Sequence, residues 1–243
     1  MMNMIDNSKI PIYATIANSI IDRIQKKELL PGSKIPSENE IIRDYRVSNT
    51  TARKVLQKIE HGGWVIKVRG KGTFVKDFTV GRAATKILSF TKNMTDQGLV
   101  PSTRLIKKEL LQNDIVIVIS GKSYIIPKPV FEIQRLRYAN KIPMMFETRY
   151  ISSQYCPDLI KFNLERSLYD IYQKDYQLNI TKIEQDISAI FLDDALKEYF
   201  EFKDELPGIK VDGVTFCGKD MVLEAEKSVY RGDKYKFSVQ AIS

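Results

Sequence analysis

Only four residues, RVSN at positions 46–49, separate two helical patterns in the first third of the chain. Before the first pattern, Ser37 and Glu40 have the spacing of a capping box, in which each side chain bonds the backbone N–H of the other. Ser48 is a suitable N-cap for the second pattern. Because the connection is so short, the two helices must cross at a steep angle. This is the helix-turn-helix arrangement, whose second helix enters the major groove of DNA through its N-terminal residues.

Two flanking patterns extend this unit to residues 1–76. Isoleucines recur every four residues between positions 12 and 24, which gives one apolar stripe and predicts a helix over about residues 12–27. The stretch WVIKVRGKGTFV predicts a two-stranded hairpin with its turn at residues 70–72. The predicted order is therefore a helix, a helix-turn-helix and a hairpin.

The positive charge of the chain is concentrated in the same unit. Residues 1–76 contain 14 Lys or Arg and 7 Asp or Glu, whereas residues 77–243 contain 24 and 23. A basic unit beside a near-neutral one is typical of a polyanion-binding module. A solvated basic face without a partner would give the same surplus.

The start of the second paired helix and the tip of the hairpin carry the candidate contacts. At the helix start, Asn49, Thr50, Thr51 and Arg53 combine short hydrogen-bonding side chains with one cation, which can reach base edges and phosphates. A nucleotide-phosphate loop does not fit the tip, because a strand rather than a helix follows residue 72. A small three-helix domain with a solvated polar face would show the same helical pattern.

Four stretches of this unit, PIY, LLPGSKIPSE, VSNTTARKVL and GKGTFV, carry a family resemblance. In this order and spacing they resemble the winged-helix domain of GntR-type bacterial transcription regulators. The resemblance implies a double-stranded DNA operator as partner. It also implies that the hairpin is the wing of this domain, and that the wing glycines let the backbone approach DNA. Where the family usually has arginine, this chain has Asn39 and Asn49, and asparagine pairs with adenine rather than guanine. The predicted DNA-binding residues are Asn39, Ser48, Asn49, Thr50, Thr51, Arg53, Arg69, Gly70, Lys71 and Gly72.

The rest of the chain mixes strand and helix patterns. Residues 77–84 are predicted to be a linker. Over residues 85–243, runs of strand pattern interrupted by two or three helices predict an α+β domain with an antiparallel sheet. The β-rich run QNDIVIVISGKSYIIPKP at 112–129 does not fit a central strand, because its two prolines cannot donate backbone hydrogen bonds.

Two predicted strands of this domain carry charged side chains on one face. Arg135 and Arg137 alternate along one strand, and Glu147 lies on its predicted antiparallel partner. Paired arginines beside a carboxylate can clamp a phosphate or carboxylate while the acid accepts hydroxyl groups. A cross-strand ladder of salt bridges on a solvated face has the same pattern.

The stretches ILSFTKNMTDQG, RLRYANKIPMMFETRYI, SLYDIY and LEAEKSVYRGDKYKF carry a second resemblance. Residues from about 85 to 239 are similar to the UTRA effector-binding domain of the HutC subfamily of GntR regulators. The resemblance implies a chorismate-lyase-like fold, a homodimer and a small effector, which is a phosphosugar in many relatives and an amino-acid derivative or a drug in others. Helix N-termini near residues 89 and 167 would offer free N–H groups to an anion. The implied effector-binding residues are Ser89, Phe90, Thr91, Arg135, Arg137, Glu147, Ser167, Glu224 and Tyr230.

Composition narrows the classes of function further. The chain has no run of eighteen apolar residues and no signal-like N-terminus, so we expect a cytoplasmic protein without a membrane partner. The one histidine, His61, and two cysteines without CxxC spacing, Cys156 and Cys217, argue against a protein-ligated metal. We expect no cofactor and no disulfide.

These patterns predict a ligand-responsive transcription regulator, not an enzyme. It would repress by binding a palindromic operator as a dimer, and a small anionic effector such as a sugar phosphate would release it. The alternative is an enzyme that uses the chorismate-lyase-like domain on a small carboxylate or phosphate, with Glu147 and Glu224 as an acid–base pair. No Ser-His-Asp or Cys-His set supports that alternative. A nonspecific architectural DNA binder would leave two thirds of the chain unexplained.

Overall fold

The structure, a computed structural model, describes residues 11–26, 28–76 and 79–240. They form two compact units, assigned to Met1–Phe78 and Thr79–Ser243. In chain order the elements of the first unit are α1 (Ile12–Gln25), α2 (Glu38–Tyr45), α3 (Asn49–His61), β1 (Val65–Val68) and β2 (Gly72–Val75). The predicted order of helix, helix-turn-helix and hairpin is confirmed.

The boundaries of α2 and α3 follow the predicted caps. Ser37 and Glu40 form the capping box: the Ser37 N–H donates to Glu40 Oε2 at 2.8 Å, and the Glu40 N–H donates to Ser37 Oγ at 3.3 Å. Ser48 Oγ accepts from the N–H of Thr51 at 3.2 Å and so starts α3. The helix ends at His61, and Gly62 is its C-cap.

Aliphatic residues at helical spacing join α1 to α3. Ile16 and Ile20 of α1 are buried together with Val55 and Ile59 of α3. Each such side chain contributes about 1.5–3 kcal/mol when it is fully buried. The predicted end of α1 at residue 27 lies outside the described residues.

The hairpin of the first unit is supported on its second side. The Ile35 N–H donates to Thr73 O at 3.0 Å, and the Val75 N–H donates to Ser33 O at 2.8 Å. β2 is therefore paired with β1 on one edge and with residues 33–35 on the other, which anchors the turn between the two strands.

The second unit is built on a six-stranded antiparallel sheet. The strands of the whole unit are β3 (Val80–Ala83), β4 (Pro101–Leu111), β5 (Ile115–Ile119), β6 (Lys122–Ile126), β7 (Val130–Ala139), β8 (Ile142–Ser152), β9 (Ile180–Phe191), β10 (Pro207–Cys217), β11 (Met221–Arg231) and β12 (Tyr235–Ser238). Its helices are α4 (Phe90–Asp96), a 3-10 turn (Leu159–Lys161), α5 (Leu168–Asp170), a π-helical turn (Ile171–Asp175) and α6 (Asp194–Tyr199). The strand order in the sheet is β4-β7-β8-β11-β10-β9. The predicted α+β class with an antiparallel sheet is confirmed.

One face of the sheet is covered by α5 and the turn that follows it. Ile133 and Ile151 of the sheet pack there in one core with Leu168 and Ile171. Side chains alternate along a strand, so Arg135, two residues beyond Ile133, points to this same covered face.

The opposite face is covered by a hairpin of β5 and β6. Ile117, Ile119 and Ile126 of the hairpin pack on Val214 and Phe216 of the sheet. The β-rich run with two prolines therefore forms a separate covering hairpin, which is why it did not fit a central strand.

The predicted linker at residues 77–84 is wrong for residues 80–83. These residues form β3, which pairs in parallel with β12, and Val80 lies opposite Tyr235. The partner strand lies far along the chain, so no local pattern marked this segment as a strand. Residues 77 and 78 lie outside the described residues.

Candidate functional sites

The helix-turn-helix exposes most of its predicted DNA contacts. Asn39 in the first turn of α2 is exposed, as are Asn49 and Thr50 in the first turn of α3. The Arg53 side chain is 63% exposed, and its Nε donates to Glu38 Oε2 at 3.2 Å. Glu38 directly precedes Asn39, so this ion pair holds the first turn of α2 against α3.

Ser48 and Thr51, also predicted to contact DNA, bond each other. Their hydroxyl oxygens lie 2.9 Å apart, in addition to the bond that caps α3. Both side chains therefore stabilise the first turn of α3. A hydroxyl group has one hydrogen and two lone pairs, so each keeps the capacity for a further bond to a phosphate or a water.

The turn of the hairpin exposes Arg69, Gly70 and Lys71. Gly70 has a φ of +75°, and a Cβ there would meet nothing within 4 Å. Gly72 differs, because its φ is +123° and a Cβ would lie 2.5 Å from Lys34 Cε. The family resemblance predicts that both glycines let the backbone approach DNA, whereas the geometry shows that Gly72 makes room for the side chain of Lys34.

In the second unit, Arg135 and Arg137 contact Glu147 on the face of the sheet that α5 covers. Arg135 lies opposite Glu147 in the pairing of β7 with β8, and its Nη2 contacts Glu147 Oε1. Arg137 Nη1 donates to the same oxygen at 2.9 Å. All three residues are at most 3% exposed. The alternative of a salt-bridge ladder on a solvated face is therefore wrong.

Arg149, which the sequence analysis did not include, connects Glu147 to two further carboxylates. Its Nε donates to Glu147 Oε2 at 3.0 Å, its Nη1 donates to Glu224 Oε1 at 2.8 Å, and the same Nη1 lies 3.1 Å from Glu226 Oε2. A signal was present in the sequence, since Glu147 and Arg149 stand two residues apart on one strand and Glu224 and Glu226 on another. This spacing places each pair on a single face.

The balance of burial and charge sets the protonation of this network. Burial alone would raise the pKa of Glu147, but Arg135, Arg149 and Arg137 hold that pKa far below its usual value. Burial raises the pKa of Glu224, and attraction to Arg149 does not offset it. Burial lowers the pKa of Arg135 to about 10, although Glu147 opposes the shift. At neutral pH, Glu147 is a carboxylate and Arg135 is a cation.

The environments of Glu147 and Glu224 do not suit an acid–base pair. The arginines that hold the pKa of Glu147 far below its usual value make it a weak base, and they engage both of its oxygens. Glu224 accepts from Arg149, from Tyr172 Oη at 2.6 Å and from Thr215 Oγ1 at 3.2 Å, so its oxygens are already engaged. The network thus argues against the enzyme alternative.

A small cavity lies beside the arginines. Its volume is about 20 Å³, which is room for about one water molecule. Its lining residues are Arg82, Leu88, Ser89, Phe90, Arg135, Arg137, Met145, Glu147, Arg149, Ser167, Leu168 and Tyr169. The predicted effector residues in that lining are Ser89, Phe90, Arg135, Arg137, Glu147 and Ser167. Four arginines and a single carboxylate face the cavity, which gives it a positive charge.

The start of α4 brings Ser89 and Phe90 to the cavity, whereas Thr91, also predicted to bind the effector, is not among the lining residues. Ser89 Oγ caps the helix by accepting from the Lys92 N–H at 3.1 Å. The guanidinium of Arg137 lies 4.6 Å from the centre of the Phe90 ring, a cation–π distance. Thr91 Oγ1 accepts from Arg137 Nη2 at 3.1 Å. Arg137 therefore joins α4 to the sheet.

Ser167 lies on the other side of the cavity, where it caps α5. Its Oγ accepts from the Asp170 N–H at 3.3 Å. Arg135 Nη1 donates to the carbonyl oxygens of Leu164 and Arg166, each at 3.0 Å, and so holds the segment that leads into the helix. α5 has only three residues, so its N-terminus adds little to anion binding beside the arginines.

Glu224 and Tyr230, the remaining predicted effector residues, lie behind the cavity wall. Neither is among the lining residues. Tyr230 Oη accepts from Arg82 Nη1 at 2.9 Å. Arg82 itself lines the cavity, and the sequence analysis missed it because it lies on β3, inside the predicted linker.

Among the residues that the structure describes, no group of three or more His, Cys, Asp and Glu could hold a metal ion. No helix in the described part of the chain has the length and apolar character needed to cross a membrane. Cys156 and Cys217 are buried and free.

Two family models match the chain. Residues 12–75 match the model of bacterial regulatory proteins of the gntR family. Residues 96–236, more than half of the chain, match the model of the UTRA domain.

Individual relatives match over nearly the whole chain. The HTH-type transcriptional repressor NagR of Bacillus subtilis is 29% identical over 237 residues, 97% of each chain. The mannosyl-D-glycerate transport/metabolism system repressor MngR of Escherichia coli is 24% identical over 232 residues, 95% of this chain and 96% of that one. The crystal structure of PhnF from Mycobacterium smegmatis has a similar fold, with a TM-score of 0.61 and 22% identity over 93% of this chain and 99% of that one.

Proposed function

Since this chain belongs to the GntR family of bacterial regulatory proteins and carries a UTRA domain, we propose that it is a transcriptional repressor that a small anionic effector releases from its operator. The family is one of regulators, so the prediction that the chain is not an enzyme is confirmed. In this proposal the first unit binds the operator and the second unit binds the effector.

The observation that carries the effector class is the pair of arginines at the cavity. Arg135 and Arg137, with Arg82 and Arg149, face it against one carboxylate, Glu147. The Nε atoms of Arg135 and Arg137 are buried and have no hydrogen-bond partner among the residues that the structure describes. Unpaired buried donors are unfavourable, and a phosphate or carboxylate could accept from them. The cavity therefore favours an anionic ligand.

The names of two relatives favour a carbohydrate as the rest of the effector. One represses a mannosyl-D-glycerate transport/metabolism system. Another is a probable fructoselysine utilization operon repressor of Escherichia coli, 23% identical over 232 residues. A sugar phosphate would combine an anionic group for the arginines with hydroxyl groups for Glu147.

On the DNA side, the proposal is a palindromic operator bound by a homodimer in the cytoplasm. Helix-turn-helix dimers place one recognition helix in each of two half-sites, so a symmetric dimer reads a palindrome. α3 is the recognition helix, with Asn49, Thr50 and Arg53 exposed at its start. Arg69 and Lys71 at the wing would contact phosphates. An effector that prefers a conformation with a different spacing of the two recognition helices would then lower operator affinity.

The experiment that tests the proposal uses DNA from upstream of the protein's own gene. We expect binding that withstands an excess of random competitor DNA and weakens steeply with added salt. In a thermal-shift screen of sugar phosphates, at least one compound should raise the Tm and lower operator affinity. Equal affinity for random DNA would refute the operator, and a screen without a stabilising compound would refute the effector class.

A further inference from the structure

Glu147 occupies the arginines that an incoming anion would need. Its Oε1 accepts from Arg137 Nη1 at 2.9 Å and contacts Arg135 Nη2, while its Oε2 accepts from Arg149 Nε at 3.0 Å. The residue is fully buried, with 0% of its surface exposed. Its carboxylate is thus an anion that the chain itself supplies to the site.

The terminal nitrogens of both arginines are already engaged. Arg135 Nη1 donates to two backbone carbonyl groups at 3.0 Å, and Arg137 Nη2 donates to Thr91 Oγ1 at 3.1 Å. The other terminal nitrogen of each arginine contacts Glu147. In the described part of the chain, the Nε atoms of the two arginines lack a partner. An anion can bridge Arg135 and Arg137 through the nitrogens that Glu147 contacts only if Glu147 gives up its bonds to them.

The cavity does not admit a second anion beside the carboxylate. Its volume of about 20 Å³ suits about one water molecule. Two negative charges held next to each other would also repel strongly. An effector must therefore displace Glu147 from Arg135 and Arg137.

The displaced carboxylate determines which anions can enter. Glu147 can keep Arg149 on Oε2, but Oε1 would lose both of its arginine partners. A charged oxygen left buried without a partner is strongly unfavourable. An effector with a hydroxyl or amine donor beside its anionic group supplies a new partner, whereas an anion without a donor does not.

We propose that Glu147 is a specificity-determining residue that excludes anions without a hydrogen-bond donor, such as sulfate, and admits anions that carry one. The proposal rests on the proposed function, since it states how the same effector site selects its ligand. Selection of this kind comes from the group that a wrong ligand leaves unpaired, not from better contacts to the right one.

The test uses Glu147→Gln, which removes the charge and keeps the size of the side chain, with sulfate as the probe. Isothermal titration calorimetry should show sulfate binding about 10- to 100-fold tighter to the variant than to the wild type, because the like charge is gone. Glu147→Asp keeps the charge and should still exclude sulfate.

Glu226→Gln is the matched control. Glu226 is a buried carboxylate of the same network that contacts Arg149. Glu226 contacts Arg149 and Gln185, whereas the carboxylate that contacts Arg135 and Arg137 is that of Glu147. Glu226→Gln should therefore show no gain in sulfate affinity.

A thermal readout keeps the test decisive if Glu147→Gln folds poorly. The Tm of each protein is measured in sodium sulfate and in sodium chloride at equal ionic strength. The wild type and Glu226→Gln report the general stabilising effect of sulfate, and Glu147→Gln should gain more than either. A variant that folds only with sulfate supports the proposal, whereas one that sulfate neither folds nor stabilises overturns it.

The outcomes also separate this proposal from the proposed function. Equal sulfate affinity of the wild type and Glu147→Gln overturns the role of Glu147, even if a sugar phosphate still stabilises the wild type through Arg137. Sulfate binding by Glu147→Gln, with no sugar phosphate bound by the wild type, would instead refute the effector class and support the role of Glu147.

Discussion

The guanidinium of Arg53 donates to the carboxylate of Glu38 at 3.2 Å, which ties α3 to the first turn of α2. The Arg53 side chain is 63% exposed, so its removal leaves the core intact. Arg53→Ala should weaken operator binding about 10- to 100-fold, because one cationic contact to a base or phosphate is lost. Fluorescence anisotropy with a labelled operator measures the loss. Unchanged affinity would contradict the assignment of α3 as the recognition helix.

Glu38→Gln is the control for Arg53→Ala. It breaks the same ion pair but leaves the cation in place and removes a negative charge near the proposed DNA surface. The operator affinity of Glu38→Gln should equal that of the wild type or be slightly higher. A decrease like that of Arg53→Ala would mean that the ion pair acts by positioning α3 and not through a contact of Arg53 with DNA.

Asn49 is exposed at the first position of α3, where GntR regulators usually have arginine. Asparagine pairs with adenine and arginine with guanine in the major groove. Asn49→Arg should therefore shift the preferred base at one operator position from adenine to guanine, by about 1–3 kcal/mol. Competition between oligonucleotides that differ at single positions measures the shift. If the preference at every position is unchanged, Asn49 does not read a base.

Arg137 and Arg135 should give different phenotypes. Arg137→Gln should abolish the response to a stabilising sugar phosphate. Operator affinity without the sugar phosphate should stay within about twofold of the wild-type value, since the substitution changes no residue of the first unit. Arg135→Gln leaves two carbonyl groups and Glu147 short of a buried partner and should lower the free energy of unfolding by about 3–5 kcal/mol. Operator titrations and urea unfolding measure the two effects. A normal effector response in Arg137→Gln would place the effector elsewhere.

Glu147 should give the second unit an acid-sensitive stability. Its pKa is held far below the 4.5 of an unperturbed glutamate, so its contribution is complete above pH 4.5 and decreases as the pH falls below that value. Between pH 7 and pH 3.5, urea unfolding should show a larger loss of stability for the wild type than for Glu147→Gln. Parallel losses would mean that the carboxylate is not stabilised by the arginines in solution.

The two wing glycines should differ in their tolerance of substitution. Gly72→Ala should lower the free energy of unfolding of the first unit by about 1–3 kcal/mol, because φ is +123° and the new Cβ would press on Lys34. At Gly70, with a φ of +75° and open space, Asn should lower it by less than about 1 kcal/mol, since asparagine tolerates the left-handed region. The fluorescence of Trp64, the one tryptophan of the chain, follows this unit specifically. Equal losses would contradict the difference in packing.

Local signals were sufficient for the first unit and for the central hairpin of the second. The caps at Ser37 and Ser48 act within three residues, so their consequences are visible in a short stretch of sequence. The turn between β7 and β8 sets the register of both strands, which is why Arg135 was correctly expected beside Glu147.

Contacts between distant segments escaped the sequence analysis. Arg82 was missed because Tyr230, its partner, lies on β11, and nothing in the local stretch marks residues 80–83 as a strand. Arg149 was missed because a charged residue on a strand has the pattern of a solvated position. The charged side chains of this face of the sheet are buried because α4 and α5 cover it, and the two helices come from other parts of the chain. The small size of the cavity depends on side-chain packing, which no sequence pattern predicts.

The parallel pairing of β3 with β12 also affects the order in which the protein is completed during synthesis. Val80–Ala83 of β3 pairs with Tyr235–Ser238 of β12, so the strand that carries Arg82 lacks its partner until residue 238 has left the ribosome. The described elements of the first unit end at Val75, and domains generally fold as units as they emerge. A nascent chain, or one clipped before Tyr235, would therefore hold a folded first unit while the wall of the cavity at Arg82 is still incomplete.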